Sequence, residues 1–124
     1  MAWKVSYIPS FNIIYVKTKG DISLDEFAHQ IREVETLARK FGTNRFLFDD
    51  TELDINKLST LNIVDLSNWI TKERDLKGNR IAFLISPEYK RIDNFRFFET
   101  AVRNRGLNAK IFFTKNSALE WLKS

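Results

Sequence analysis

Two adjacent carboxylates, Asp49 and Asp50, are the residues of this chain that first suggest chemistry. They close the apolar run 45–50 (RFLFDD), which is typical of a buried strand. Ligands of open α/β sheets bind beyond the carboxyl ends of parallel strands, and paired carboxylates can hold magnesium. Strand neighbours point to opposite faces, however, so only one of the two can face a given site. We favour a turn or capping role and keep a magnesium-dependent enzyme at Asp49 and Asp50 as an alternative.

Other groups that support catalysis are scarce. The chain has no cysteine and one histidine, His29, which helical projection places on the solvent face of the first predicted helix. Zinc sites and catalytic triads need more than this, and no glycine-rich phosphate-binding motif is present. Asp54 and Lys115 could assist Asp49, but the first strand lacks the acidic pair of a receiver domain. We therefore expect no catalytic residue, no cofactor and no metal site, and a binding function instead of an enzyme.

The size and composition of the chain indicate one globular domain over residues 1–124. It is 44% hydrophobic and 29% charged, and its 11 phenylalanines predict an aromatic-rich core. No stretch approaches the roughly 18 apolar residues of a membrane span, and the N-terminus lacks the apolar region of a signal peptide. With no cysteine to form disulfides, the cytoplasm is the expected location.

Hydrophobic periodicity predicts elements in the order ββαβαβαβα. The runs 2–8 and 11–18 predict an antiparallel hairpin. Ser23 and Glu26 form a capping box for a first helix that ends at Gly42. Strands separated by helices run parallel, so the expected fold class is α/β, with a mixed, mostly parallel five-stranded sheet packed with about four helices. The inward stripe of the first helix is predicted as Leu24, Phe27, Ile31, Val34, Ala38 and Phe41. Beyond the strand 45–50, the predicted elements are a polar loop over 51–58, a helix capped by Ser59 or Thr60 that runs to about Leu76, a strand over 80–86, a helix over 90–105, a strand over 109–113 and a helix over 118–123. Asn116 or Ser117 is the predicted cap of this last helix, which buries Leu119 and Leu122.

Two aromatic side chains fall outside the predicted core. Trp69 lies off the inward stripe of the second helix, and Phe97 lies off that of the third. Exposed aromatic residues, tryptophan above all, are enriched in protein interfaces. Cover by a flanking loop explains Trp69 equally well.

The third helix interleaves basic and aromatic residues (Phe95-Arg96-Phe97-Phe98), as some nucleic-acid binders do. Charge is also uneven, since residues 76–124 hold 10 Lys/Arg and 4 Asp/Glu, against 10 and 12 in residues 1–75. Phe95 and Phe98 nevertheless point to the core, and Arg96, Glu99 and Arg103 have the spacing of ordinary surface ion pairs. Nucleic-acid binding is therefore not favoured.

Five segments carry motifs that occur together in one known fold. They are 20–27 (GDISLDEF) before the first helix, 46–49 (FLFD), 78–84 (GNRIAFL), 98–106 with its F-x-x-A and closing glycine, and 111–122 (IFF followed by ALEWL). This set resembles the STAS (sulfate transporter and anti-sigma factor antagonist) fold, specifically its SpoIIAA-like bacterial branch. The resemblance spans nearly the whole chain and is more specific for the fold than for an activity.

The resemblance implies docking of a protein partner, including self-association as a homodimer. The partner-binding candidates are Ser59 and Thr60 at the start of the second helix and the two aromatic residues outside the predicted core, Trp69 and Phe97. Anti-sigma antagonists carry D-S-[SA]-G at the start of the second helix, and its serine is phosphorylated. Here the region is 56–62 (NKLSTLN), without that aspartate or glycine, so Ser59 is interpreted as a helix cap. The branch also resembles the lipid-carrying Sec14 fold, which leaves an apolar small molecule or lipid in a cavity between helices and sheet as the alternative function.

Overall fold

In a computed structural model of the chain, residues 3–54, 79–88, 92–104 and 106–124 are described. No helix within these ranges is long and apolar enough to cross a bilayer. The helix predicted from Ser59 or Thr60 lies outside them, so α2 below corresponds to the helix predicted over 90–105. The described elements are β1 (Trp3–Ile8), β2 (Ile13–Gly20), α1 (Leu24–Phe41), β3 (Arg45–Leu53), β4 (Arg80–Leu84), α2 (Ile92–Asn104), β5 (Asn108–Phe112) and α3 (Lys115–Lys123).

The five strands form one sheet in the order β1-β2-β3-β4-β5. The hairpin partner β1 runs antiparallel to β2, and the pairs β2–β3, β3–β4 and β4–β5 are all parallel. Asn12 closes the hairpin turn with a positive φ of 54°, which asparagine tolerates better than most residues. The predicted α/β class with a mixed, mostly parallel five-stranded sheet is confirmed.

The sheet buries both of its faces, because side chains alternate along each strand. On the front face, strand residues such as Phe46 and Phe48 pack against Ile31 and Val34 of α1 and Val102 of α2. On the back face, a second core packs against Ala118 and Leu122 of α3; its strand residues are Ile13, Leu47, Ala82, Leu84 and Phe112. β3 is therefore buried from both sides, as its apolar sequence predicts.

The first helix begins and ends where the sequence indicates. Ser23 accepts a hydrogen bond from the Glu26 N–H, the Glu26 carboxylate accepts one from the Ser23 N–H, and Gly42 adopts the left-handed conformation at the C-terminus. The placement of Phe41 in the inward stripe was wrong, because its side chain is 41% exposed. At this last helical residue the ring stacks on Tyr7 of the edge strand β1, with centroids 4.0 Å apart, and the Lys40 ammonium lies 5.4 Å from the ring centroid.

Several predicted boundaries were also wrong: the strands predicted over 80–86 and 109–113 are β4 (Arg80–Leu84) and β5 (Asn108–Phe112). β3 continues to Leu53, so residues 51–53 are not loop, because Glu52 and Leu53 go on pairing with Lys19 and Gly20 of β2. The last helix begins at Lys115, before Asn116 and Ser117, because the Thr114 side chain accepts the Ser117 N–H and provides the N-cap.

The capping box at Ser23 yields a stability prediction. Ser23→Ala removes the acceptor for the Glu26 N–H, so the free energy of unfolding should fall by about 1 kcal/mol in urea titrations. Ser10→Ala, at an exposed turn position with no cap to lose, is the control and should change it by less than about 0.5 kcal/mol. Equal losses in the two variants would contradict the capping role.

Candidate functional site

A polar cluster lies on the back face, where β2 and β3 approach their carboxyl ends. It comprises Tyr15, Lys17, Asp49, Thr51 and Glu52, and is called the Asp49 cluster below. The parallel register places Lys17 directly beside Asp49. The position agrees with the general rule that sites of open α/β sheets lie at this end of the strands.

A bulge in β3 assembles this cluster. Lys17 is paired with Asp49, but Lys19 is paired with Glu52, so β3 contains one more residue than β2 over this stretch. The extra residue shifts the alternation, which turns Glu52 to the back face beside Lys17 and Leu53 to the front face. There Leu53 packs with Ile85 and Phe95 in a third core cluster.

The Asp49 carboxylate is surrounded by donors. Its Oδ1 accepts from the Thr51 N–H at 3.2 Å and from the Thr51 hydroxyl at 2.6 Å. Its Oδ2 accepts from the Tyr15 hydroxyl and lies 3.6 Å from the Lys17 ammonium. With its side chain 8% exposed, Asp49 is held by its own chain on both oxygens.

Three groups of the cluster have pKa values shifted further from neutral pH, so their protonation states do not change near pH 7. Burial raises the pKa of Asp49, but the hydrogen bonds from Thr51 and Tyr15 and the Lys17 charge outweigh burial and hold the pKa below its usual value. The pKa of Lys17 is raised, chiefly by its hydrogen bond to Glu52, 2.9 Å away. Burial, followed by the Asp49 carboxylate, raises the pKa of Tyr15 far above its usual range. None of these three groups titrates near pH 7, which general acid–base catalysis requires.

Lys115 joins the cluster from α3. Its ammonium lies 5.0 Å from the centroid of the Tyr15 ring, within the range of a cation–π contact. The sequence placed Lys115 near Asp49 by analogy with a receiver-domain lysine. In the structure its contact is with the Tyr15 ring, and the ammonium paired with Asp49 is that of Lys17.

Asp50 has the opposite environment to its neighbour. It is 8% exposed and follows Phe48 in the front-face alternation, away from the Asp49 cluster. Burial and the charge of Asp49 raise its pKa from 3.8 to about 7. The two carboxylates therefore do not converge on one site, and no group of three or more His, Cys, Asp or Glu that could hold a metal ion occurs among the described residues.

The remaining predicted site residues have different outcomes. Phe97 is 43% exposed on α2, and His29 is exposed on α1. Ser59, Thr60 and Trp69 lie outside the described residues, as does the second helix that would border the predicted lipid cavity.

The sequence pattern does not indicate a role for Tyr15 or Lys17. Both lie in an ordinary β-rich run, where aromatic and lysine side chains are common. The available signal was their spacing of two, which puts both on one face of a strand. Their pairing with Asp49 also required the parallel register of β2 and β3, which sequence periodicity does not provide.

Comparison with known proteins identifies the fold. No family model and no curated protein matches the chain. A solved structure does: an uncharacterised protein of the DUF3478 family with a SpoIIAA-like fold, from Shewanella loihica PV-4, is 21% identical in sequence, with a TM-score of 0.56, over 98% of this chain and 92% of that chain. This chain has a SpoIIAA-like fold. The fold predicted from the motif resemblance is therefore confirmed. A SpoIIAA-like fold does not by itself show a function, which has to be argued from the residues of this chain.

The contrast between Asp49 and Asp50 predicts that the stability of the protein depends on pH. The folded state holds the Asp50 proton up to about pH 7, while the unfolded chain releases it near pH 4. The free energy of unfolding should therefore fall as the pH rises from about 4 to about 7, by up to about 4 kcal/mol. Asp50→Asn should remove this slope in urea titrations across that range.

Asp49→Asn is the matched control for the pH series. Because the folded pKa of Asp49 is lowered, its contribution is present above its unfolded pKa and is lost as the pH falls through the folded value. The slope between pH 4 and 7 should therefore persist in Asp49→Asn, although it becomes smaller because the Asp49 charge no longer raises the Asp50 pKa. An unchanged slope in Asp50→Asn would contradict the assignment.

The Tyr15 hydrogen bond gives a further prediction. Tyr15→Phe removes a donor from a buried carboxylate, so the protein should lose about 2 kcal/mol of stability and the pKa of Asp49, measured by NMR titration, should rise. Tyr7→Phe is the control, since the Tyr7 hydroxyl donates to exposed Asn12 at 2.8 Å and should contribute less. Equal losses would argue against a special role for the Tyr15–Asp49 bond.

Proposed function

We propose that this chain is a non-catalytic domain that docks a protein partner through the solvent face of α2, with Phe97 at its centre. The supporting observation is the 43% exposure of the Phe97 side chain on a helix whose other phenylalanines, Phe95 and Phe98, are turned inward. Covering a large apolar ring that is exposed to water is favourable, so burial of this ring would stabilise a complex. Aromatic rings of this kind are enriched among the residues that dominate binding energy.

The surroundings of Phe97 define the chemistry of the partner. Arg96 and Arg103 are exposed on the same helix and make no ion pair with any described residue. Arginine is favoured at protein interfaces, where its planar guanidinium binds carboxylates. The proposed partner therefore presents an apolar pocket for the ring with acidic side chains beside it.

The non-catalytic part of the proposal rests on the Asp49 cluster. Its carboxylate is occupied by internal donors, and its charged groups titrate far from neutral pH. A cysteine-free chain is compatible with the reducing cytoplasm, and we keep that location within the proposal. Ser59, Thr60 and Trp69 remain further docking candidates.

Phe97→Ala tests the proposal. Truncating a central interface aromatic costs about 2 kcal/mol or more, so the affinity for a partner should fall at least about 30-fold. The measurement compares wild type and variant as baits in native lysate by quantitative mass spectrometry, followed by titration of the purified captured protein. Phe113→Ala is the matched control, because Phe113 has a similar exposure of 39% and lies off the helix.

A protein retained by wild type and Phe113→Ala but lost by Phe97→Ala supports the proposal. Unchanged folding of Phe97→Ala in a thermal melt rules out loss by unfolding. Equal retention by all three baits would refute docking through Phe97.

A further inference from the structure

The two edge strands of the sheet differ in whether their outward main-chain groups have hydrogen-bond partners. On β5, the Ile111 N–H points away from β4 and donates to the Glu99 carboxylate of α2 at 2.6 Å. The Ala109 N–H, two residues earlier on the same side, donates to the Leu107 carbonyl at 3.2 Å. The outward amides of this edge are thus satisfied within the chain, and a second strand cannot pair there without displacing Glu99.

The opposite edge, β1, has no such cover among the described residues. β1 pairs with β2 alone, so every second residue directs its N–H and C=O away from the sheet. Between Trp3 and Tyr7, no described residue hydrogen-bonds the main chain on that side. An open strand edge of this kind is a template for another strand.

The sequence of β1 is compatible with pairing to itself. In an antiparallel pair related by a two-fold axis at Val5, Val5 lies opposite Val5, Trp3 opposite Tyr7, and Lys4 opposite Ser6 of the second copy. This register keeps the alternation of both strands, with Val5 and Tyr7 on the front face of both sheets. Aromatic cross-strand pairs such as Trp3–Tyr7 are among the favourable ones.

The two neighbouring registers of the β1–β1 pair place Lys4 unfavourably. Moving the axis one residue toward the N-terminus places Lys4 opposite Lys4, which is repulsive. Moving it one residue toward the C-terminus places the Lys4 ammonium opposite Ile8, which packs against the back-face core. The register centred on Val5 avoids both conflicts.

The aromatic surface beside β1 supports the same arrangement. Tyr7 and Phe41 stack with their ring planes 6° apart, and Phe41 is 41% exposed. In the register about Val5, Trp3 of the second copy lies opposite Tyr7, next to this stacked pair.

We propose that β1 is a homodimer interface, in which the β1 strands of two copies pair antiparallel about Val5 and join both sheets into one. This surface lies at the opposite sheet edge from β5, which α2 covers, so the proposal is independent of docking through Phe97. The partner it fits is a second copy of this chain.

Charge substitutions at Ser6 test the interface. Ser6→Lys places two lysines opposite Lys4 residues and should weaken dimerisation about tenfold, whereas Ser6→Glu forms two opposite-charge pairs and should strengthen it about tenfold. Sedimentation of wild type and variants over a concentration series gives the dimer dissociation constants. Asn108→Lys, an exposed position on β5, is the control and should leave the constant unchanged.

Cysteine pairing tests the register, since the chain contains no cysteine of its own. Chains with Lys4→Cys and chains with Ser6→Cys are mixed, oxidised mildly and analysed by mass. The register about Val5 gives the mixed disulfide dimer in excess, with Asn108→Cys as the collision control. Each variant is first shown to fold by circular dichroism.

The results of these experiments distinguish between presence and absence of the β1 interface. Opposite effects of Ser6→Lys and Ser6→Glu, with mixed cross-links, support the interface. A wild type that stays monomeric up to about 1 mM would overturn it, as would the same effect from both charges. Cross-links confined to like-with-like pairs would overturn the Val5 register.

Discussion

The parallel pairing of β2 with β3, interrupted by one bulge, is the constraint on which the rest of this structure depends. Strict alternation along β3 would send Asp49 to one face and Asp50 to the other, and it does so up to the bulge. The extra residue then resets the alternation, so Glu52 joins Lys17 on the back face and Leu53 enters the front-face core. One inserted residue thus provides both the polar cluster and the apolar cover beyond it.

The same geometry explains why two neighbouring carboxylates behave oppositely. Asp49 receives donors from Tyr15 of the neighbouring strand β2 and from Thr51 of its own strand, which stabilise its charge despite burial. For Asp50, burial and the Asp49 charge both favour the protonated acid. Burial disfavours the charged form of a carboxyl group, and a like charge nearby does the same, so the pKa of Asp50 shifts toward neutrality. The two carboxyl groups therefore differ in environment and in pKa, and such a pair is poorly suited to binding one cation between them.

The fold is predictable from the sequence more fully than the site is. The capping box at Ser23 and the alternation in β1 depend on local physics, so the pattern predicts them directly. Motif resemblance gave the SpoIIAA-like topology. The contacts of Tyr15 and Lys17 with Asp49 depend on the register between strands and on a bulge, and neither leaves a periodic signal in the sequence. Phe41 was misplaced for a related reason: projection identifies the side of a helix but not where the core beneath it ends.

The role of Glu99 shows how such a tertiary contact redistributes surface charge. Its spacing from Arg96 and Arg103 predicts ion pairs along α2, each worth only a few tenths of a kcal/mol. The Ile111 amide at the sheet edge offers a better partner, because an unmet main-chain donor there costs more than an exposed ion pair contributes. Glu99 therefore turns to the strand, and the two arginines lose their acidic neighbour. Closing one edge of the sheet thereby leaves Arg96 and Arg103 without Glu99 on the outer side of α2, which the helix sequence considered alone would not indicate.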